Sequence, residues 1–289
     1  MITQKQLEII KKIQLLQASI ESSMDNRLPL IFSKLSDQVI ELANQLPLDA
    51  KDRAKLLRET ITLKQQIAAT IINNKEYQQE VGNVITGFKE LKNLSDAYFS
   101  ELIDGFSAKD ELYKEILNAN ITLTKDNLLG AGIRNNFGNA ITEVLKANVS
   151  GISNRTTLNA TLRKFIEGTE ADQPFLNRYI KQTTNDAVMG FNREYIQTVS
   201  EDLNLAYYFY AGTLIADSRS FCKPRTGRYF TKKEVQNWSK LGNWNGRMAG
   251  TNENTIFTNA GGYNCRHTIW PVTKVQYEIA KRNGTAGLK

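Results

Sequence analysis

Cysteine and histidine are scarce, and no stretch is uniformly apolar. Two cysteines in 289 residues cannot build a disulfide framework, so a reducing, cytoplasmic origin is expected. No run approaches the roughly 18 apolar residues of a membrane span, and the start, Met1-Ile-Thr-Gln-Lys5, lacks the charged-then-apolar pattern of a signal peptide. The first half holds no cluster of His, Cys or paired carboxylates facing one way, so no chemistry is assigned to it. Leu128-Leu-Gly-Ala-Gly132 is not a phosphate loop, because the closing Gly-Lys-Ser/Thr is missing.

What the chain does have is concentrated near one end. Both cysteines, the only histidine and all three tryptophans lie between Asp217 and Val272. From Asp217 onward there are 13 Lys/Arg against 4 Asp/Glu, whereas the 216 residues before it carry 24 against 26. The net charge of +7 is therefore a property of the C-terminal segment, and a basic segment suits contact with nucleic acid. At this length the chain can bury a substantial core and could hold two domains.

Upstream the pattern is helical. Ile2, Ile9, Ile13, Leu16 and Ile20 form one apolar seam, which Asn26 to Pro29 should break. A second helix is expected over about 30–46, with Ile31, Leu35, Val39 and Leu42 on one face, ended by Pro47. Asp49 can cap a third, carrying Leu56, Thr60, Leu63, Ile67 and Ile71. A fourth spans about 77–105, and Ser107 can cap a short one after it. These seams should bury one another, although they could also dock a partner.

The Leu128–Gly132 stretch reads as a Gly-broken turn, followed by a helix from about Arg134 to Ala147. A short helix starting at Thr156 or Thr157 should stop at Gly168. Asp172-Gln-Pro174 opens the longest helical pattern, to about Leu203, with Val188, Phe191, Tyr195 and Val199 on one stripe. Leu205 to Tyr210 is aromatic and strand-prone; its rings could stack on bases or form a strand buried on both faces. Arg228 to Phe230 reads as a short strand, Thr231-Lys-Lys-Glu234 as a capping box, and Ile269 to Val272 as a closing strand whose Pro271 puts it at an edge. The fold class is α+β, mainly α. The expected division is a helical bundle or hairpin over 1–125 that docks a partner, a helical connector over 126–204, and a small basic α+β domain with short strands over 205–289.

The C-terminal residues occur in a telling order: Asp217-x-Arg219, Cys222, Gly227, Cys265-Arg266-His267 and Pro271-Val272. This order resembles the C-terminal signature of the phage Mu F-like minor head proteins, also called phage head morphogenesis proteins. Asn177 to Tyr195 resembles the helix rich in Arg, Thr and Asn that precedes it. The likeness covers about 100 residues. It departs from the family at Arg225, where members often carry a second Cys, and at His267, which replaces the second Cys of a closing Cys-Arg-Cys triplet.

The resemblance implies a minor structural protein of a tailed-phage head. Such a protein would act in head morphogenesis at the portal or inner capsid, self-associate within the virion, and perform no catalysis. Its localisation would be the virion, by way of the host cytoplasm. Packaged double-stranded DNA would be a non-sequence-specific contact, with Lys223, Arg225, Arg228, Lys232 and Lys233 as the candidate DNA-facing residues.

No cofactor is expected, because structural zinc wants four closed ligands and only Cys222, Cys265 and His267 are offered, with Asp217 or another oxygen needed as the fourth. The alternatives are two packed thiols with a hydrogen-bonded imidazole, or a disulfide between Cys222 and Cys265. Asp217 and Arg219, two apart on an extended segment, should point the same way and bind neighbouring backbone or charge, and Arg266 could pair with Asp217. Two other functions stay open. One is a nuclease or toxin-like enzyme with His267 as general base, although only 17 residues follow Val272. The other is a free nucleic-acid-binding protein.

Overall fold

Pro29 does not end the first helix. The computed structural model describes residues 1–48, 53–108, 111–150, 154–169 and 173–288, and in it α1 runs unbroken over Gln4–Ala43 with Pro29 inside. An interior proline costs a helix about 3 kcal/mol. Met24, Leu28, Ile31 and Phe32 on either side of it are all buried, and each buried side chain of this size returns about 1.5–3 kcal/mol. The seam outweighs the breaker.

The helices α2 (Arg53–Ile72), α3 (Lys75–Leu102), α4 (Glu111–Leu129), α5 (Gly138–Ser150), α6 (Arg155–Glu167) and α7 (Phe175–Asp202) follow. The expected caps at Asp49 and Asp172 lie outside the described residues. The helix after Ser107 is 19 residues rather than short. The expected Gly-broken turn at Leu128–Gly132 narrows to a bend at Gly130: α4 ends at Leu129, helix resumes at Ala131, and a π-helical turn over Ile133–Phe137 leads directly into α5. Gly132 serves a close approach there, since a Cβ on it would lie 2.2 Å from the Asn127 carbonyl oxygen. Asn154 caps α6 by accepting from the Thr157 N–H, and Gly168 closes it as expected.

The strands are β1 (Tyr207–Ala211), β2 (Tyr229–Thr231) and β3 (Thr268–Val272), in the order β2-β1-β3, all antiparallel. The helices α8 (Lys232–Trp238), α9 (Ile256–Asn259) and α10 (Lys274–Arg282) complete the chain. It is therefore mainly α with a small α+β region near the C-terminus. Pro271 pairs with Tyr208 on edge strand β3, where a missing N–H is tolerated.

Spatial packing groups the chain into two units, neither of which follows the sequence segments 1–125, 126–204 and 205–289. One unit comprises Ile20–Ile85 and Thr122–Thr184. In it the seam residues Leu56, Leu63, Ile67 and Ile71 of α2 are buried, as are Leu35 and Val39 of α1. Arg155 donates to the carbonyls of Ala43 and Leu46, satisfying the open end of α1. The buried Glu80 carboxylate meets Arg27 at 3.1 Å and Ser23 Oγ at 3.2 Å.

The other unit joins Met1–Ser19, Thr86–Ile121 and Asn185–Lys289. The N-terminus belongs with the sheet: Ile2 donates its N–H to Tyr229 Oη, and Gln6 accepts from Gln276. Tyr98 of α3 packs on Trp270 with ring centres 4.6 Å apart and donates its hydroxyl to the Pro271 carbonyl at 2.6 Å. The stripe Val188, Phe191, Tyr195 and Val199 of α7 is buried. In β1, Tyr208 and Tyr210 are fully buried, while Tyr207 and Phe209 lie against Tyr277 and Tyr229. These four rings serve the core and are not presented to bases.

Two capping boxes start α8 and α10, on Thr231/Glu234 and Thr273/Gln276. Thr231→Ala and Thr273→Ala should each lower stability by about 1 kcal/mol in urea denaturation. Midpoints equal to the parent's would show that these helices are held by packing alone.

Candidate functional site

The loops flanking β1 and β3 fold around three rigid contacts. The first is Arg193 of α7, which is buried and donates to three backbone carbonyls: Nε to His267 at 3.0 Å, one terminal nitrogen to Thr258 at 3.3 Å, and the other to Cys265. A planar guanidinium suits this fork. The second is Arg225, whose guanidinium lies 4.1 Å from the ring centre of Phe221 and 4.8 Å from that of Trp238. The third is Arg247, which donates to the carbonyls of Ser239, Leu241 and Thr251 and stacks on Trp244. Trp244 in turn stacks on Phe221 and donates to the Gly261 carbonyl.

This framework brings Cys222, Cys265 and His267 together, all buried, with their ligating atoms within 4.8 Å of one another. The two Sγ atoms are 3.9 Å apart, and Cys265 Sγ is 3.9 Å from His267 Nδ1. Both cysteines are free thiols. Tyr210 donates its hydroxyl to Cys222 Sγ at 3.4 Å, and its ring stacks on the imidazole. Glycines make room for the cluster. A Cβ on Gly261 would sit 2.7 Å from Cys222 Sγ and 2.8 Å from Cys265 Sγ, and one on Gly212 would sit 2.4 Å from His267 Cδ2.

The hydrogen bond from Cys222 holds the Cys265 thiol below its ordinary range; His267 and Arg193 add to this against the cost of burial. The same contact, with burial, pushes Cys222 up.

A cavity of about 300 Å3 opens beside the cluster, lined by Asp217, Arg219, Asn264 and Arg266 as well as by the cysteines and histidine. The Asp217 stretch is not extended as expected. It turns at Ala216–Asp217, with the Ser218 N–H bonded to the Ile215 carbonyl and the Ser218 hydroxyl receiving the Ile215 N–H, because these local bonds outcompete a strand. Arg219 binds neighbouring backbone, at the Tyr263 carbonyl, while Asp217 and Arg266 are exposed on the cavity. Gly227 takes φ +78° just before β2, and its N–H bonds the Tyr210 carbonyl. Pro271 lies in β3, away from the cavity lining.

The candidate DNA-facing set divides. Lys223 and Lys233 are exposed. Arg225 is buried between two aromatic rings, which removes it from that set. Arg228 donates to the carbonyls of Gly284, Ala286 and Gly287, and Lys232 meets Glu201 at 3.6 Å. Arginines that look like a phosphate surface in the sequence are largely occupied with backbone. Sequence reasoning missed Arg193, Tyr210, Gly212 and Gly261 as site residues. The one signal was a charged Arg193 between Phe191 and Tyr195 on the buried stripe, where a cation needs partners.

Two glycines separate conformational from steric cost. Gly227→Ala meets nothing within 4 Å and should cost only the left-handed penalty of about 1–2 kcal/mol. Gly262→Ala adds to a φ of +99° a Cβ 1.8 Å from the Gly246 carbonyl oxygen, so its loss in urea denaturation should clearly exceed that of Gly227→Ala. Equal losses would refute the close approach. No protein-family model, no curated protein and no solved structure matches the chain, so its functional reading rests on its own residues and geometry.

Proposed function

We propose that this chain is a minor structural protein of a tailed-phage head, acting in head morphogenesis at the portal or inner capsid. The observation that carries the reading is the use to which the signature residues are put. Arg219 binds a loop carbonyl, Cys222 and Cys265 pack together, Gly227 turns the chain into β2, and Pro271 sits on the edge strand. In each case the residue shapes a scaffold rather than aiming at a reactant.

The enzyme reading has less support. Among the described residues, the only hydrogen-bond partner of the His267 ring nitrogens is Cys265 Sγ, and no carboxylate orients the ring. DNA contact is secondary in this proposal. Lys223 and Lys233, joined by the exposed Lys240, Lys274, Lys281 and Arg282, would contribute a sequence-independent, salt-sensitive attraction.

The partner surface would lie off the buried seams, among exposed apolar residues of the unit built from Ile20–Ile85 and Thr122–Thr184, such as Leu30, Leu57, Ile61 and Leu123. Affinity capture of the tagged chain from phage-infected cells, with and without nuclease, tests the proposal by mass spectrometry. Portal and capsid proteins retained after nuclease are the expected result. Their loss on nuclease treatment would make nucleic acid the primary ligand, and recovery of no phage structural protein would overturn the head reading.

A further inference from the structure

His267 is the residue that packing leaves unexplained. Its imidazole is 4% exposed, Nε2 has no hydrogen-bond partner, and Nδ1 has only a sulfur atom 3.9 Å away. A buried polar group left in this state costs about 1–3 kcal/mol. A histidine retained for packing would have both ring nitrogens partnered, and here Nε2 has none while Nδ1 meets only a thiol sulfur. Meanwhile its orientation is fixed: Tyr210 stacks on one face at 16° between planes, and Gly212 lies against the ring carbons.

We propose that Cys222, Cys265 and His267 bind a zinc ion, with a fourth, exchangeable position facing the cavity. Tetrahedral zinc with Zn–S near 2.3 Å and Zn–N near 2.0–2.1 Å requires about 3.8 Å between sulfurs and about 3.6 Å from sulfur to nitrogen. The structure has 3.9 Å for each of the two pairs, with the third within 4.8 Å. A sulfur spacing of 3.9 Å would also suit two packed thiols; the imidazole decides. It is far from the roughly 2.05 Å of a disulfide. Two thiolates and an imidazole form a soft set that favours zinc over hard cations.

The neighbouring backbone fits the same purpose. Gly261 keeps a side chain off both sulfurs, and Arg193 pins the carbonyls of Cys265 and His267, the two ligands on one strand lead-in. The cavity supplies the fourth ligand as water, and the exposed Asp217 carboxylate lines that cavity. The ion would clasp the Cys222 loop to the start of β3, and the inference stands whether or not the chain is a head protein.

The test uses the full chain purified under reducing conditions and stripped of metal, titrated with Co2+ alone. One cobalt per chain is expected, with a sulfur-to-cobalt charge-transfer band and the intense visible bands of tetrahedral cobalt. Zinc should displace it. Cys222→Ser and Cys265→Ser should each remove part of the charge-transfer intensity. His267→Gln should weaken cobalt binding by more than the roughly 100-fold that losing an outer-shell partner costs. His267→Cys should bind and gain charge-transfer intensity, which keeps the test informative if other variants misfold. Shifts of the visible bands on adding imidazole would mark the open position. Absence of a charge-transfer band in the reduced parent protein, or a band unchanged in both serine variants, would overturn the proposal.

Discussion

One buried guanidinium holds the C-terminal segment in place. Removing Arg193 from water costs several kcal/mol, and each charge-assisted hydrogen bond returns about 1.5–3 kcal/mol. One carbonyl would not balance that cost, but three do. The charge is tolerated only while the loops at Thr258, Cys265 and His267 present their carbonyls to it. The clasp of loops to helix is thus all-or-none. It fixes where Cys265 and His267 can point, and through them the shape of the cavity.

Much of the basic charge at this end works in the same way. Arg219, Arg228 and Arg247 also donate to backbone carbonyls, and Arg225 lies between two rings. Loops rich in Gly, Asn and Thr have many carbonyls and few regular partners for them. Arginine, with five donors in a rigid fork, is the side chain that can gather several at once. A positive sequence charge therefore overstates the charge available to phosphate. The lysines, whose heads remain in water, are the better candidates.

Local signals in the sequence were legible where a short stretch determines its own structure. The Thr231/Glu234 capping box, the stop at Gly168, the aromatic strand β1 and the edge proline of β3 all follow from neighbours within a few residues. Legibility failed where distant residues decide. Pro29 is a strong breaker, yet the burial of Leu28 and Phe32 overrides it. Gly130 and Gly132 suggest a turn, but the break is a single bend at Gly130, and Gly132 serves a close contact at the start of a π-helical turn. The grouping of residues 1–19 with the sheet depends on bonds such as Ile2 to Tyr229, which leave no local pattern. The partners of Arg193 are backbone carbonyls, which every sequence possesses and none advertises. At the candidate site, the residue types were readable from their order, but whether they converge was not.

The most direct test of this account is native-state hydrogen exchange of the parent and of Arg193→Lys, which keeps the charge and loses the fork. The account predicts that amides across 256–272 lose protection in the variant while those of α2 and α5 keep theirs. Unchanged protection over 256–272 would contradict it, because the segment would then be held by something other than Arg193.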